Sequence, residues 1–194
     1  MKKSPKKFSE LLLYIVAKFK EEKVAETKLM KLLYFTEANF YRINKKTITN
    51  IDFYKNHFGP TPDFKIFKKA VELLGPYLKR EEKSIENGKI VLYSIKNTNY
   101  KYQNLTGEEM NEADKVFDMY SRLSSEELSR IAHFDPPYLA AKEMKDRIKF
   151  NFVIYRKDRE EDKEISFSDE EQKEFANQIP KDVIEKLLDY AGRS

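Results

Sequence analysis

Cysteine and tryptophan are absent from the 194 residues, and histidine occurs only at His57 and His133. Without cysteine there is no disulfide scaffold, thiol nucleophile, zinc ribbon or iron–sulfur cluster, and the composition suits a reducing compartment. Two histidines so far apart form no helical pair at i and i+4, so a histidine-rich metal site has no ligands to draw on. A magnesium site made of carboxylates alone stays open. Glycine is scarce, standing at Gly59, Gly75, Gly88, Gly107 and Gly192. That spacing excludes the dinucleotide fingerprint, the phosphate-cradling loop and the Gly-x-Ser-x-Gly nucleophile turn. Long apolar runs are missing too: Leu11 to Ala17 falls well short of the roughly 20 residues that span a bilayer. Lys18, Lys20, Glu21, Glu22 and Lys23 follow that run where a signal peptide would need small residues. The expectation is a soluble, cytoplasmic chain with no cofactor, no membrane partner and no enzymatic chemistry of its own.

What is present is apolar and aromatic. Hydrophobic residues make up 40% of the chain, with 14 Phe and 12 Tyr, enough for a substantial core. The length favours one domain over 1–194. Charge is uneven along it: residues 1–80 carry 18 Lys or Arg against 8 Asp or Glu, whereas 81–194 carry 19 against 25. Such polarity orients an encounter with a charged partner, although alternating solvated faces produce the same count.

Periodicity predicts an α+β domain dominated by helices. Phe8, Leu12, Ile15, Val16 and Phe19 form one helical stripe. From Glu26 to about Asn44, Leu29, Leu32, Leu33, Phe40 and Ile43 line one face while Met30, Tyr34 and Tyr41 line another, which marks a central helix. Ile51 to Phe58 reads as extended chain stopped by the Gly59-Pro60-Thr61-Pro62 turn. The next helix is placed to begin at Thr61 or Pro62 and to end at Gly75-Pro76. Asn87-Gly88 signals a hairpin over about 82–95. Thr106 with Glu109, Ser124 with Glu127, and Ser168 with Glu171 are capping boxes that start three further helices. Asp135 reads as an N-cap before Pro136, and His133 as the last residue of the preceding helix. Strict alternation of Ile148, Phe150, Phe152 and Ile154 suggests a strand over about 147–155, although Ile148, Phe152 and Tyr155 would also suit a helix. A charged loop over 156–164 and a closing helix from Pro180 to Tyr190 complete the reading.

Few side chains invite chemistry. His57 reads as an imidazole packed among aromatics beside a turn, and His133 as a helix-terminal cap. Glu108-Glu109 and Glu126-Glu127 are first-turn residues of their helices. Tyr34-Phe35, Phe40-Tyr41-Arg42 and Phe53-Tyr54-Lys55 interleave rings with basic groups, as a stacking platform for single-stranded nucleic acid would. Their helical and strand spacing directs most of them inward instead.

The order of signatures resembles the Panacea, or SocA-like, antitoxin domain. It is carried by Lys28-Leu29-Met30-Lys31-Leu32-Leu33-Tyr34-Phe35, then His57-Phe58-Gly59-Pro60-Thr61-Pro62, then Leu128-Ser129 before His133-Phe134-Asp135-Pro136-Pro137-Tyr138. The resemblance spans roughly residues 8–155, leaving a C-terminal extension of 156–194. It implies an antitoxin from a bacterial or prophage toxin–antitoxin pair, which neutralises a cognate toxin by direct binding. The toxin would be encoded by the adjacent gene, and one branch of the family delivers its toxin to a AAA+ protease. Lys31, Tyr34, Gly59, Pro60, Pro62 and His133 match the signature and are expected mainly to maintain the fold. Gly59 would supply a positive φ, and the Tyr34 hydroxyl would meet a buried polar group. The partner surface is expected on the basic region of Arg42, Lys45, Lys46 and Lys55, together with the first helix. The alternative is a nucleic-acid-binding transcriptional regulator, motivated by the basic N-terminal portion; it predicts binding that weakens steeply with salt.

Overall fold

The computed structural model describes residues 3–85 and 88–156. Helix α1 runs Pro5–Lys18, three residues earlier than its apolar stripe, because Pro5 occupies the first turn, where a missing amide costs nothing. It ends beside Lys20, which turns the chain with φ 56°. The two-residue strand β1 (Val24–Ala25) leads into α2 (Glu26–Asn44), which stops where Lys45 adopts the left-handed conformation and donates its amide to the Tyr41 carbonyl. As its two apolar faces predicted, α2 is central: it packs on α1, on β1 and on elements from the later half of the chain.

After α2, strand β2 (Phe53–Tyr54) pairs antiparallel with β3 (Thr61–Pro62) around the Gly59-Pro60 turn. That pairing corrects the expected start of the next helix. Thr61 and Pro62 are spent on the ladder, and α3 (Phe64–Leu73) begins behind Asp63, whose carboxylate accepts from the amides of Lys65 at 3.0 Å and Ile66 at 3.2 Å. The hairpin is longer than predicted: β4 (Leu78–Ile85) and β5 (Gly88–Ile95) pair from Leu78↔Ile95 to Ile85↔Gly88. Strand β1 joins the other edge of β5, giving the order β1-β5-β4. The outer strand β4 carries Lys79, Arg80, Glu81, Glu82 and Lys83, charges that discourage a further strand from adding.

Helices α4 (Gly107–Tyr120) and α5 (Ser125–His133) start at complete capping boxes on Thr106 and Ser124. The short α6 (Pro136–Ala140) follows, and then a 3-10 helix over Phe150–Tyr155. The predicted strand at 147–155 is therefore not formed; only Arg147 makes a bridge, to Tyr54. Burial alternates from Ile148 to Phe152, with Lys149 exposed, but the alternation breaks at Val153, which is buried while Ile154 is only partly so. Phe150 and Val153 fall at the three-residue period of a 3-10 turn, with the Phe150 ring against Tyr34, Tyr41 and Phe53, while Phe152 turns to Leu139 and Tyr155. The capping box at Ser168 and Glu171, most of the charged loop over 156–164 and the helix from Pro180 to Tyr190 lie outside the described residues. Among the described residues, no helix is long and apolar enough to cross a membrane.

Two buried carboxylates tie loops to the helices. Glu10 of α1 accepts from the amides of Gln103, Asn104 and Leu105 at 2.7–3.2 Å. Burial opposes its ionisation, yet these donors outweigh it and hold its pKa below the usual carboxylate range. Glu37 of α2 accepts from the Ile48 amide at 2.6 Å and from the amide and hydroxyl of Thr49. There desolvation wins, and its pKa is pushed up to about 7.

Candidate functional site

Lys31 lies on the buried side of α2 with 0% of its surface exposed. Its amine crosses to the Gly59-Pro60 turn and donates to the Pro60 carbonyl at 3.1 Å. The lysine stem needs the space beside Gly59: a Cβ there would stand 2.8 Å from Lys31 Cε and 3.5 Å from His133 Cε1. Gly59 also has φ +91°, which side chains on Cα rarely allow. Among the described residues no carboxylate answers the amine; burial dominates and pulls its pKa down from 10.5 to about 7.

The same turn is held from α5 and α6. His133, the last residue of α5, lies with Nδ1 2.5 Å from the Ser129 carbonyl and Nε2 3.0 Å from the His57 carbonyl. Both ring nitrogens therefore face backbone carbonyls, one of the ring's own helix and one of the turn. The Tyr138 hydroxyl donates to the Asn56 carbonyl at 2.7 Å, and its ring packs edge-on against His133. Lys31, His133 and Tyr138 thus bind the carbonyls of Pro60, His57 and Asn56, three acceptors of one turn. Pro62 sits in β3 opposite Phe53 and closes the far side. The His57 ring, expected among aromatics, is exposed, because the turn spends the backbone of His57 and releases its side chain.

A second cluster surrounds Asp135. The buried Tyr34 hydroxyl donates to its carboxylate, and Arg156 closes on it with two parallel bonds, Nε to Oδ1 at 2.6 Å and Nη2 to Oδ2 at 2.7 Å. Arg156 also reaches Asn39 through Nη1. Burial and the Asp135 charge drive the Tyr34 pKa well above its ordinary value. Burial opposes the Arg156 cation, but Asp135 outweighs it and keeps the guanidinium charged. Asp135 occupies an N-cap position as predicted, yet its side chain makes no cap bond, being committed to this ion pair. Arg156 was placed at the head of a solvated charge run; its partner is 21 positions away, and nothing local marks it.

The expected partner surface is corrected in part. Arg42 is only 7% exposed, since it follows Tyr34 and Ala38 at four-residue steps on the buried side of α2. Lys55 is half-buried, with Nζ 2.5 Å from the Ala141 carbonyl and 5.0 Å from the Tyr138 ring centre. Lys45 and Lys46 are exposed. Helix α1 is largely interior, with Phe8 to Leu13, Ile15 and Val16 all buried. An open cleft of about 450 Å³ lies instead between the start of α2 (Glu26, Met30, Lys31), the turn (Asn56, Phe58) and the start of α3 (Phe64). Sequence reasoning did not find it; the exposed Phe58 and Phe64 were indistinguishable from core residues in the pattern. Among the described residues, no group of three or more His, Asp or Glu side chains could hold a metal ion.

The result is a helix-rich α+β unit in which side chains from α2, α5 and α6 converge on one turn. The family model described as antitoxin SocA-like, Panacea domain, matches residues 29–138, and the chain belongs to that family. The match runs from α2 to Tyr138, leaving out α1 and the 3-10 helix that pack on it. No curated protein and no solved structure matches the chain.

Proposed function

We propose that this protein is an antitoxin that neutralises a cognate toxin by binding it directly in the cytoplasm, the toxin being encoded by the adjacent gene of a bacterial or prophage operon. Membership of the SocA-like antitoxin family over residues 29–138 carries the reading. The geometry agrees with it. Lys31, His133 and Tyr138 are spent on carbonyls of their own chain, and Tyr34 and Asp135 on each other. Neutralisation asks for no reacting group, only for a surface complementary to a toxin's active site or to its inactive conformation. Delivery of the toxin to a AAA+ protease would begin with the same contact, so the binding step is common to a stoichiometric inhibitor and an adaptor.

The test is co-expression from separate promoters. The neighbouring gene product alone should arrest growth, and this chain should restore growth and copurify with it. If the arrest persists while the chain is abundant and soluble, or the neighbour is harmless alone, the reading fails. Comparing toxin levels with and without the protease separates the two modes: the adaptor lowers them only when the protease is present.

A further inference from the structure

The cleft beside Lys31 has walls that the fold does not need. Phe58, 74% exposed, stands on the turn, and Phe64, 54% exposed, is the first residue of α3; both line the cleft and neither belongs to the core. Two large exposed rings lining one cavity mark an interaction site rather than scattered surface apolarity. Their rim is basic. Lys65, Lys68 and Lys69 are exposed on α3, and Lys68 Nζ stands 4.7 Å from the centre of the Phe64 ring. Among the described residues none of these three lysines has a carboxylate partner. Of the nearby acids, Glu26 accepts from the Tyr93 hydroxyl at 2.6 Å and Asp63 caps its own helix, while Glu72 is exposed one turn further along α3.

We propose that this cleft seats a segment of a partner protein in which an apolar side chain is flanked by aspartate or glutamate. The apolar group enters between Phe58 and Phe64, and the acids meet Lys65 and Lys68. The division of labour is the usual one at interfaces, aromatic anchors for affinity and rim charges for steering. The inference rests on the binding reading above and names the chemistry of the toxin segment that makes the contact. A nucleic-acid strand fits less well, because Glu26 lines the cleft and Glu72 lies on the same exposed helix, where a backbone-tracking groove would carry only positive charge.

The test selects from a random-peptide display library on the full chain, with the Phe58→Ser/Phe64→Ser variant as counter-selection. Both positions are exposed, so the variant should melt with the wild type; Leu73→Ser, at the far end of α3, is the control. Selected peptides should combine Phe, Leu or Trp with Asp or Glu. Their synthetic forms should bind the double variant about 30-fold more weakly, the loss typical of an interface anchor. Lys65→Gln/Lys68→Gln should weaken binding and flatten its salt dependence. No enrichment, enrichment of basic peptides, equal binding by the double variant, or preference for a single-stranded oligonucleotide overturns the proposal. In the co-expression assay, failure of the wild type to neutralise sinks the antitoxin reading. Neutralisation by wild type and double variant alike sinks the cleft alone.

Discussion

Gly59 is fixed by two independent demands, the left-handed backbone and the Lys31 stem that fills the space of its missing side chain. Gly59→Ala should therefore cost about 2–4 kcal/mol, combining backbone strain with overpacking. Urea unfolding would measure it, and Lys31→Ala in the same background should recover part of the loss by vacating the contact. Two losses that simply add would mean that only the backbone matters. Lys31 itself has a pH signature. Its pKa falls from 10.5 to about 7 on folding, so between those values the unfolded chain holds a proton that the folded chain has lost. Stability should accordingly rise with pH across that window, and the penalty is fully present below about 7. Lys31→Met keeps the bulk, removes the proton, and should flatten the rise. Identical slopes for variant and wild type between pH 7.5 and 10, each about half a unit or more inside the window, would show that the amine is not desolvated as its burial requires.

At the scale of elements, α2 is the member on which the others rest. Leu33 is fully buried on it, and Leu33→Ala should cost about 2–5 kcal/mol, whereas Ser124→Ala, removing one exposed cap of α5, should cost about 1 kcal/mol. Thermal melts that ranked the two the other way would contradict the central placing of α2. Both were legible from sequence, for physical reasons: a helix apolar on two faces has no solvent side to give up, and a capping box is a contact three residues long. Elements made by distant partners were not legible. Strand β1 exists only because Val24 and Ala25 lie along β5 at Tyr93 and Leu92. The run from Ile148 to Tyr155 alternates like a strand, but only its start pairs, with the Ile148 amide donating to the Phe53 carbonyl, and the rest closes into a 3-10 turn on α2. The candidate site divides in the same way. Its signature residues could be recognised by order and spacing, yet that Lys31 and His133 grip one turn, and that Arg42 faces inward, follow only from how α2 and α5 are rotated.

For the molecule as a whole, the 110 residues that match the family model pack against side chains from outside the match. Asp135 lies inside the matched span, but its counter-charge Arg156 lies outside, as do Phe150 and Val153, which cover α2. An acid buried beside the Tyr34 hydroxyl with no cation would face the desolvation of its charge uncompensated. Breaking such a pair from one side costs about 3–5 kcal/mol, a large share of the stability of an ordinary domain. Arg156→Met should therefore destabilise by about that amount, read as a fall in the urea-unfolding midpoint against the wild type. A chain ended after Tyr138 loses the guanidinium and the aromatic cover together, and should lack the cooperative melt of the full chain while keeping helical circular dichroism. If the shortened chain melted as sharply and as late as the full one, the Asp135–Arg156 pair would be an ornament of the surface, and the matched span would be the folding unit by itself.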